Sequence, residues 1–465
     1  MIRLFRVFIP TSVVALLISE VILLFFCFVI ALTLVSDVDP EFVLLYDGGL
    51  PRISIAVISV LVALYFQDLY AELRIRSRIF LWQQFSMAVG LAFLVQGMST
   101  YVNPTLTLSR WVMIYASGLI LFLLPAWRIL FCRLVLTSMN APKMLLLGTS
   151  PVLAEISKRL NERIEMGFQV IGYLDDGASG TGTPAMGAVP RLGSLANLRE
   201  VVAAKNPERI VVGMSERRAR LPVYDLLDLR LSGIHVEEAA ALYESCFGRV
   251  STRDLRPSQL VFSSELGPSR SSVAVQHIYS FLAALVGAIL TLPLMLLAAL
   301  LVWATSKGPV LYKQTRVGLN GKYFSVLKFR SMFLDAEAAT GAVWASRNDP
   351  RITMVGKYLR KFRIDELPQF WNVLRGDMSF VGPRPERPEF VQALSEKIPF
   401  YRQRHCVKPG LTGWAQINHK YGDTIEDTIT KLEYDLYYIK HISFSLDTYI
   451  MLNTLKTVIL GRGAQ

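Results

Sequence analysis

The sequence predicts a membrane-anchored chain in three parts: a membrane α-helical bundle of four transmembrane helices, a Rossmann-like α/β domain, and a C-terminal α/β domain seated on a re-entrant membrane helix. Three observations predict it. Of the 465 residues, 52% are hydrophobic and 18% charged, whereas soluble domains are about a quarter charged. Long apolar runs fill 8–136 and recur at 278–303. Between them strand-like and helical patterns alternate, and after them glycine, proline and charge concentrate between Lys313 and Tyr438. The expected parts are residues 1–140, 141–264 and 265–465.

The first apolar run, 8–35, follows Arg3 and Arg6 and contains one charge, Glu20. It is too long for a signal-peptide core and lacks a small-residue cleavage site, so it reads as a retained membrane helix. The runs 53–66, 80–98 and 111–136 are the other candidates to span a bilayer, which needs about 20 residues each; Pro51 limits the start of the second. Asp37, Asp39, Glu41 and Asp47 crowd the first loop. Arg74, Arg76 and Arg78 fill the second loop, and Arg128 and Arg133 end the fourth run. The positive-inside rule then puts the N-terminus, the second loop and everything after 136 in the cytoplasm, with the four helices packed as a bundle.

In the middle part, 143–149 reads as a buried strand running into a turn, with a helical pattern through Leu160. Further strands are expected at 170–176 and 210–213, and a helix at 195–204, with a Gly/Thr/Ala-rich loop at 177–188. This alternation implies a parallel sheet. The turn Gly148-Thr149-Ser150-Pro151-Val152-Leu153-Ala154 lacks the second glycine of GxGxxG, which lets backbone approach a pyrophosphate. A structural or regulatory role is therefore expected ahead of cofactor binding. The four cysteines, Cys27, Cys132, Cys246 and Cys406, form no CxxC pair, which suits a reducing compartment rather than a disulfide framework or zinc site.

The fifth apolar run holds no charge and carries Pro293 inside it. Lys307, Lys313, Arg316, Lys322 and Lys328 follow, which argues against a fifth crossing. A proline removes a backbone hydrogen bond and kinks a helix, so the run can enter one leaflet and leave by the same face; the alternative is a kinked spanning helix. The net charge of +12 fits loops facing anionic lipid and a phosphate-rich substrate. With no zinc-finger spacing and no aromatic nucleic-acid motif, nucleic acid is not expected as a partner.

Asp365 and Glu366 sit among Arg360, Lys361 and Arg363, with Arg384 and Lys408 in later loops. Adjacent carboxylates on a bare surface are commonly a solvated helix end. Acid beside dense base suits instead a Mg²⁺ ion, which takes one or two carboxylates plus phosphate oxygens. A carboxylate can also serve as a phosphoryl nucleophile, with metal and arginine neutralising the charge it must approach. In Gly382-Pro383-Arg384-Pro385 the prolines stiffen the backbone around a guanidinium that can meet phosphate with its planar fork; a plain turn with a solvated arginine is the other reading.

Residues 363–369, 376–385 and 408–414, with Lys328-Phe329-Arg330 before them, closely resemble the bacterial sugar transferase family. These are polyprenyl-phosphate hexose-1-phosphate transferases, or monotopic phosphoglycosyl transferases. The resemblance covers about 278–463; the four helices and α/β domain resemble the long form. Residues 383–390 and 405–410, with the tail, resemble the subgroup associated with exopolysaccharide synthesis.

The resemblance implies that Asp365 attacks the β-phosphate of a UDP-sugar while Glu366 ligates Mg²⁺ beside it. UMP leaves, and polyprenyl (undecaprenyl) phosphate then takes the phosphosugar. It assigns phosphate to Arg384, with Lys328, Arg330 and Arg363 as further candidates, and the membrane kink to Pro293. Two departures stand out. Leu292-Pro293, with Thr291 before it, replaces the family's Ser-Pro, and Gln276-His277 replaces a Lys-Arg, which weakens a phosphate anchor at the membrane surface. The expected location is the bacterial inner (plasma) membrane, with the catalytic domain on the cytoplasmic side where UDP-sugars are; a homodimer is left open. By family habit glucose is the first hexose expected and galactose the next. Asp435 is expected as a structural cap ahead of a part in the site, and His405 as a phosphate contact or equally a core or loop residue. Of the rival functions, a membrane-anchored nucleotide-sugar dehydratase needs GxxGxxG and Tyr-x-x-x-Lys after 264, and neither is there. A non-catalytic regulatory membrane protein would not need the intact acid, glycine and arginine motifs.

Overall fold

A computed structural model describes residues 2–4, 7–35, 39–71, 73, 78–103, 105, 108–138, 141–163, 166–176, 186–187, 189–214, 221–253, 267, 270–334, 336, 349–419 and 424–460. Arg6, Arg74, Arg76, the loop 177–185 and the tail from 461 lie outside the described residues. Among the described residues, five helices are long and apolar enough to cross a membrane.

A short hairpin, β1 (Ile2–Leu4) and β2 (Val7–Ile9), precedes the helical bundle. The bundle consists of α1 (Thr11–Val35), α3 (Gly49–Phe66), α4 (Arg78–Val102) and α5 (Arg110–Ser138), with a short α2 (Pro40–Leu45) in the first loop. The second long helix starts two residues before Pro51, because proline is tolerated in a helix's first turn. Leu24, Phe28, Ile53, Leu64, Phe85, Ile120 and Leu124 form a continuous apolar core between the four long helices. Arg128 is not a free charge at the end of the fourth long helix. It is buried, with Nε 2.9 Å from Glu20 Oε1, and Tyr70 donates to Oε2 of the same carboxylate at 2.6 Å. A charge inside an apolar bundle is costly unless paired, so Glu20 and Arg128 fix α1 against α5.

The α/β domain is a five-stranded, wholly parallel sheet of order β5-β4-β3-β6-β7. Its strands are β3 (Lys143–Leu147), β4 (Gln169–Leu174), β5 (Arg191–Gly193), β6 (Arg209–Val212) and β7 (His235–Glu238). Helices α6 (Pro151–Glu162), α7 (Leu198–Lys205), α8 (Val223–Leu231) and α9 (Ala239–Phe247) connect and flank them. This is the expected Rossmann-like arrangement. Met144 and Leu146 face one apolar layer and Leu145 and Leu147 the other, as period-2 alternation in a doubly covered strand requires.

Helix α10 (Arg270–Thr305) runs uninterrupted through Pro293. Thr291 Oγ1 donates to the Gly287 carbonyl at 2.7 Å, so the threonine two places before the proline supplies a hydroxyl-to-backbone bond. The helix packs on the C-terminal domain at both ends. Near its start, Gln276 donates to Tyr438 and Asp447, and at its middle Gly287 leaves room for Phe370, whose Cζ would lie 2.9 Å from a Cβ. Near its end, Ala298 and Val302 pack on Phe329 and Leu359. Its other side exposes a long stripe that includes Ile289, Leu290, Leu296 and Trp303.

The C-terminal domain begins with an antiparallel hairpin, β8 (Leu311–Val317) and β9 (Tyr323–Phe329). Helix α11 (Met354–Lys361), a 3₁₀ turn at Ile364–Glu366 and α12 (Gln369–Arg375) follow. The parallel pair β10 (Ser379–Val381) and β11 (Gly410–Thr412) brings the Gly382-Pro383 loop against residues 408–413. Between them lie α13 (Pro388–Lys397) and a 3₁₀ stretch, Tyr401–Cys406. Helices α14 (Trp414–Asn418), α15 (Ile425–His441) and α16 (Phe444–Ile459) close the domain over Tyr437, Tyr438, Leu446 and Ile450.

Candidate active site

Thr353 caps α11, its hydroxyl accepting the Gly356 amide at 2.9 Å. At the far end Arg363 takes a left-handed backbone, φ 54°, a conformation that costs a residue with a Cβ. This reverses the chain into the turn that carries Asp365 and Glu366. Ile364 packs beside Val302 and Leu359, so the turn is held against the end of α10.

Both carboxylates line a cavity of about 500 Å³ walled by the β8–β9 hairpin, the Arg384 loop and the stretch of α15 from Thr428 to Asp435. Lys328 Nζ and Arg384 Nη2 each lie 2.9 Å from Glu366 Oε1, and Arg363 Nη1 is 3.5 Å from Oε2. Burial opposes ionisation of Glu366, but these three cations outweigh it and hold its pKa well below the ordinary range. Asp365 is pushed the other way, to about 6, by burial and then by the neighbouring Glu366 charge, against the pull of Lys328, Arg360 and Arg384. One acid is a fixed anion; the other changes charge near neutrality.

Lys328, Arg363, Arg384, Asp365 and Glu366 therefore converge as the sequence suggests. Arg330 lines the same cavity, but its Nη2 is engaged by Ser306, 2.7 Å from both the carbonyl and Oγ. Lys361 and Lys408 are not among the residues that line it. His405 is likewise set aside from the wall, and burial and then Arg404 lower its pKa to about 4.

Asp435 is no helix cap. It lies in the middle of α15, buried at the cavity wall, 2.8 Å from Arg404 Nη2. Burial raises its pKa to about 6 even against Arg404. Arg404 also donates to Tyr401 and to the Arg384 carbonyl, both at 2.9 Å. Arg316 and Glu386 extend this polar end, 3.5 Å apart. The available signal for Asp435 was an acid on a helix face shared with buried Leu432, Leu436 and Ile439; such an acid needs a buried partner.

The α/β turn is closely packed at its glycine. A Cβ on Gly148 would lie 2.7 Å from Met214 Cγ, so the space over the glycine is filled. The Ser150 hydroxyl accepts the Leu153 amide at the start of α6.

Two family models match the chain: bacterial sugar transferase over residues 271–461, and CoA-binding domain over 65–220. The chain is 41% identical over 282 residues to a UDP-N-acetylgalactosamine-undecaprenyl-phosphate N-acetylgalactosaminephosphotransferase of Aeromonas hydrophila, covering 61% of this chain and 62% of that protein. It is 34% identical over 339 residues to an undecaprenyl-phosphate glucose phosphotransferase of Komagataeibacter xylinus, covering 71% and 61%. It is 32% identical over 344 residues to a UDP-glucose:undecaprenyl-phosphate glucose-1-phosphate transferase of Klebsiella pneumoniae, covering 70% and 69%. The aligned part spans about three fifths of the length of the first two relatives. With the matched transferase region holding the whole acid-and-arginine cavity, the chain belongs to the bacterial sugar transferase family.

Proposed function

We propose that this protein transfers a hexose-1-phosphate from a UDP-sugar to polyprenyl (undecaprenyl) phosphate, the initiating step of exopolysaccharide synthesis. The observation that carries this reading is the acid pair in the cavity: Asp365 stands beside Glu366, whose carboxylate oxygens lie 2.9 Å from Lys328 and Arg384 and 3.5 Å from Arg363. The named relatives act on undecaprenyl phosphate with N-acetylgalactosamine or glucose donors, so N-acetylhexosamines join glucose and galactose as donors to test.

In the first half-reaction an Asp365 carboxylate oxygen attacks the β-phosphorus. The bond from that phosphorus to the bridging oxygen breaks, and UMP leaves with the electron pair. Lys328, Arg363 and Arg384 lie where they can neutralise the diphosphate as the anion approaches. In the second, a phosphate oxygen of the acceptor attacks the same phosphorus, and the aspartate is released as a carboxylate. The two adjacent carboxylates fit a Mg²⁺ ion that is held mainly by substrate oxygens. Glu366 would be its protein ligand, and its chemistry would be charge neutralisation at the diphosphate.

The reading places the catalytic domain on the cytoplasmic face of the inner membrane, with α10 re-entrant. Contacts from Gln276 to Val302 with one domain support this. At 1.5 Å per residue that stretch of helix is about 39 Å long, more than the roughly 30 Å hydrocarbon core. A spanning helix would require the domain to straddle the bilayer. UMP release from a panel of UDP-sugars, with polyprenyl phosphate in lipid nanodiscs, tests the function. No release from any donor by the folded chain would overturn it.

A further inference from the structure

The cavity has a direction. On one face of the β8–β9 hairpin lie Arg316 and Gln314, then Tyr312 paired across from Lys328, then Arg330. Residues two apart on a strand share a face and stand about 7 Å apart. Arg316 marks the polar end with Glu386, close to Arg384, whose carbonyl Arg404 holds. Arg330 marks the opposite end, where its amide donates to Val310 and its guanidinium to Ser306, just past the last turn of α10.

At that second end the lining carries an apolar lip beside Arg351. Tyr312, Phe333 and Leu334 line the cavity and are 41%, 59% and 60% exposed. A Cβ on Gly308 would run into Arg330 Nη1 and lie 2.8 Å from Leu334 Cδ1. The guanidinium and the apolar lip thus meet on the same glycine, beside the exposed apolar stripe of α10 that ends at Trp303. Arg330 itself is 6% exposed, and its Nε and Nη1 have no hydrogen-bond partner among the described residues. A buried guanidinium with two open donors suits an anion.

Resting on the function proposed above, we infer that this membrane-side end is the acceptor subsite: Tyr312, Phe333 and Leu334 seat the first isoprene units of a polyprenyl phosphate, and Arg330 takes its phosphate. The donor nucleotide then occupies the Arg316–Arg404–Asp435 end, and Asp365 lies where the two substrates meet. The occupant is lipid rather than protein because the lip continues the apolar surface of α10 and joins a cavity holding a phosphoryl nucleophile. In the acceptor step a phosphate oxygen bound at Arg330 forms a bond to the phosphorus on Asp365 as the phosphorus–aspartate bond breaks. The electron pair returns to the carboxylate, and no further reactant is needed.

The test uses the full chain in nanodiscs. Phe333→Ser with Leu334→Ser, and separately Arg330→Lys, should each raise KM for polyprenyl phosphate about tenfold while KM for the UDP-sugar stays within about twofold. An unchanged acceptor KM in both variants would overturn the assignment. A photoreactive geranylgeranyl phosphate offered to the Asp365→Asn chain reads the same subsite without turnover or a mutated lip. Adducts at 311–312 or 333–334 support it, and adducts confined to another surface overturn it. Absence of UMP release by the wild-type chain would count against the functional reading instead.

Discussion

The guanidinium of Arg404 donates to the backbone carbonyl of Arg384 at 2.9 Å, and Asp435 holds that guanidinium from behind at 2.8 Å. Arg384 in turn reaches Glu366 Oε1 at 2.9 Å. A buried acid on α15 is therefore joined, through Arg404 and then the peptide group and side chain of Arg384, to the carboxylate beside the proposed nucleophile. Second partners of this kind set the aim of the groups that touch substrate.

Asp435→Asn should consequently reduce turnover about 10- to 100-fold without touching the Asp365 turn. Arg404 would lose its anionic partner in a buried setting, at a cost of about 3 kcal/mol. The measurement is kcat and KM for the UDP-sugar alongside thermal unfolding. Wild-type kcat in a folded Asp435→Asn protein would show that Arg384 needs no such support.

Asp365→Asn should abolish the covalent phosphosugar adduct as well as UMP release, because an amide is not a useful nucleophile at phosphorus. Glu366→Gln should lower both strongly by removing the anion on which Lys328, Arg384 and Arg363 converge. Mass spectrometry of the quenched protein distinguishes loss of the adduct from loss of its discharge.

The raised pKa of Asp365, about 6, gives a pH signature with a definite sign. Attack needs the carboxylate, so single-turnover adduct formation should rise with pH through about 6 and level off above it. Stability runs the other way. The folded state binds this proton more tightly than the unfolded chain, so the group's contribution is fullest below the unfolded value and is lost as pH rises through about 6. Asp365→Asn escapes that loss and should gain Tm over wild type at about pH 8 but not at about pH 4. Parallel melting curves at the two pH values would show the assignment to be wrong.

Topology offers an independent check. Cysteines placed near Lys307 and at exposed Glu396 should both resist a membrane-impermeant thiol reagent in intact cells. Labelling of either from outside would make α10 a crossing. Pro293→Ala restores an amide donor inside the continuous helix α10, and activity should fall as the added hydrogen bond stiffens the segment that seats the cavity at the bilayer.

The readable part of this site lay in contiguous motifs. Asp365 and Glu366 stand amid bases in one short segment, and Lys328 and Arg384 each carry their own proline, glycine or aromatic punctuation. Arg404 and Asp435 were not readable as a pair, because their meeting depends on a 3₁₀ stretch packing against a helix that begins about twenty residues later. Arg330 shows the opposite limit. Its place in Lys328-Phe329-Arg330 suggested a substrate ligand, but no pattern in the sequence announces that one of its amino groups holds the end of α10. In the fold, hydropathy located the long helices and the buried strands β3, β4 and β6. The edge strands β5 and β7, three and four residues long, are too short for a two-residue period to register.

The α/β domain provides the last prediction. It grips the C-terminal domain closely: Trp414 Nε1 donates to the Gly248 carbonyl at 2.6 Å, Glu433 accepts the Thr252 amide at 2.9 Å and the Tyr243 hydroxyl at 3.1 Å, and Lys440 meets Glu244 at 2.8 Å. Yet Glu433 and Asp435 are two residues apart on α15, about 200° around a helix. The grip is thus on the face turned away from the cavity, and every residue lining the cavity is numbered 309 or above. A chain beginning at 264 keeps α10, the hairpin and all the acid and base groups. It should release UMP above an Asp365→Asn blank of the same length. Deleting residues 1–263 uncovers Trp414, Glu433 and Lys440 and takes Asp68 and the Tyr65 carbonyl away from Lys456, so buried area and an ion pair are lost and Tm should fall. Any kinetic penalty should enter through a looser α15, as a higher KM for the donor rather than a lower kcat. A truncated protein that folds yet shows no activity above its blank would place part of the catalytic apparatus in the α/β domain or the helical bundle, and the division of this chain into a catalytic part and a supporting remainder would fail.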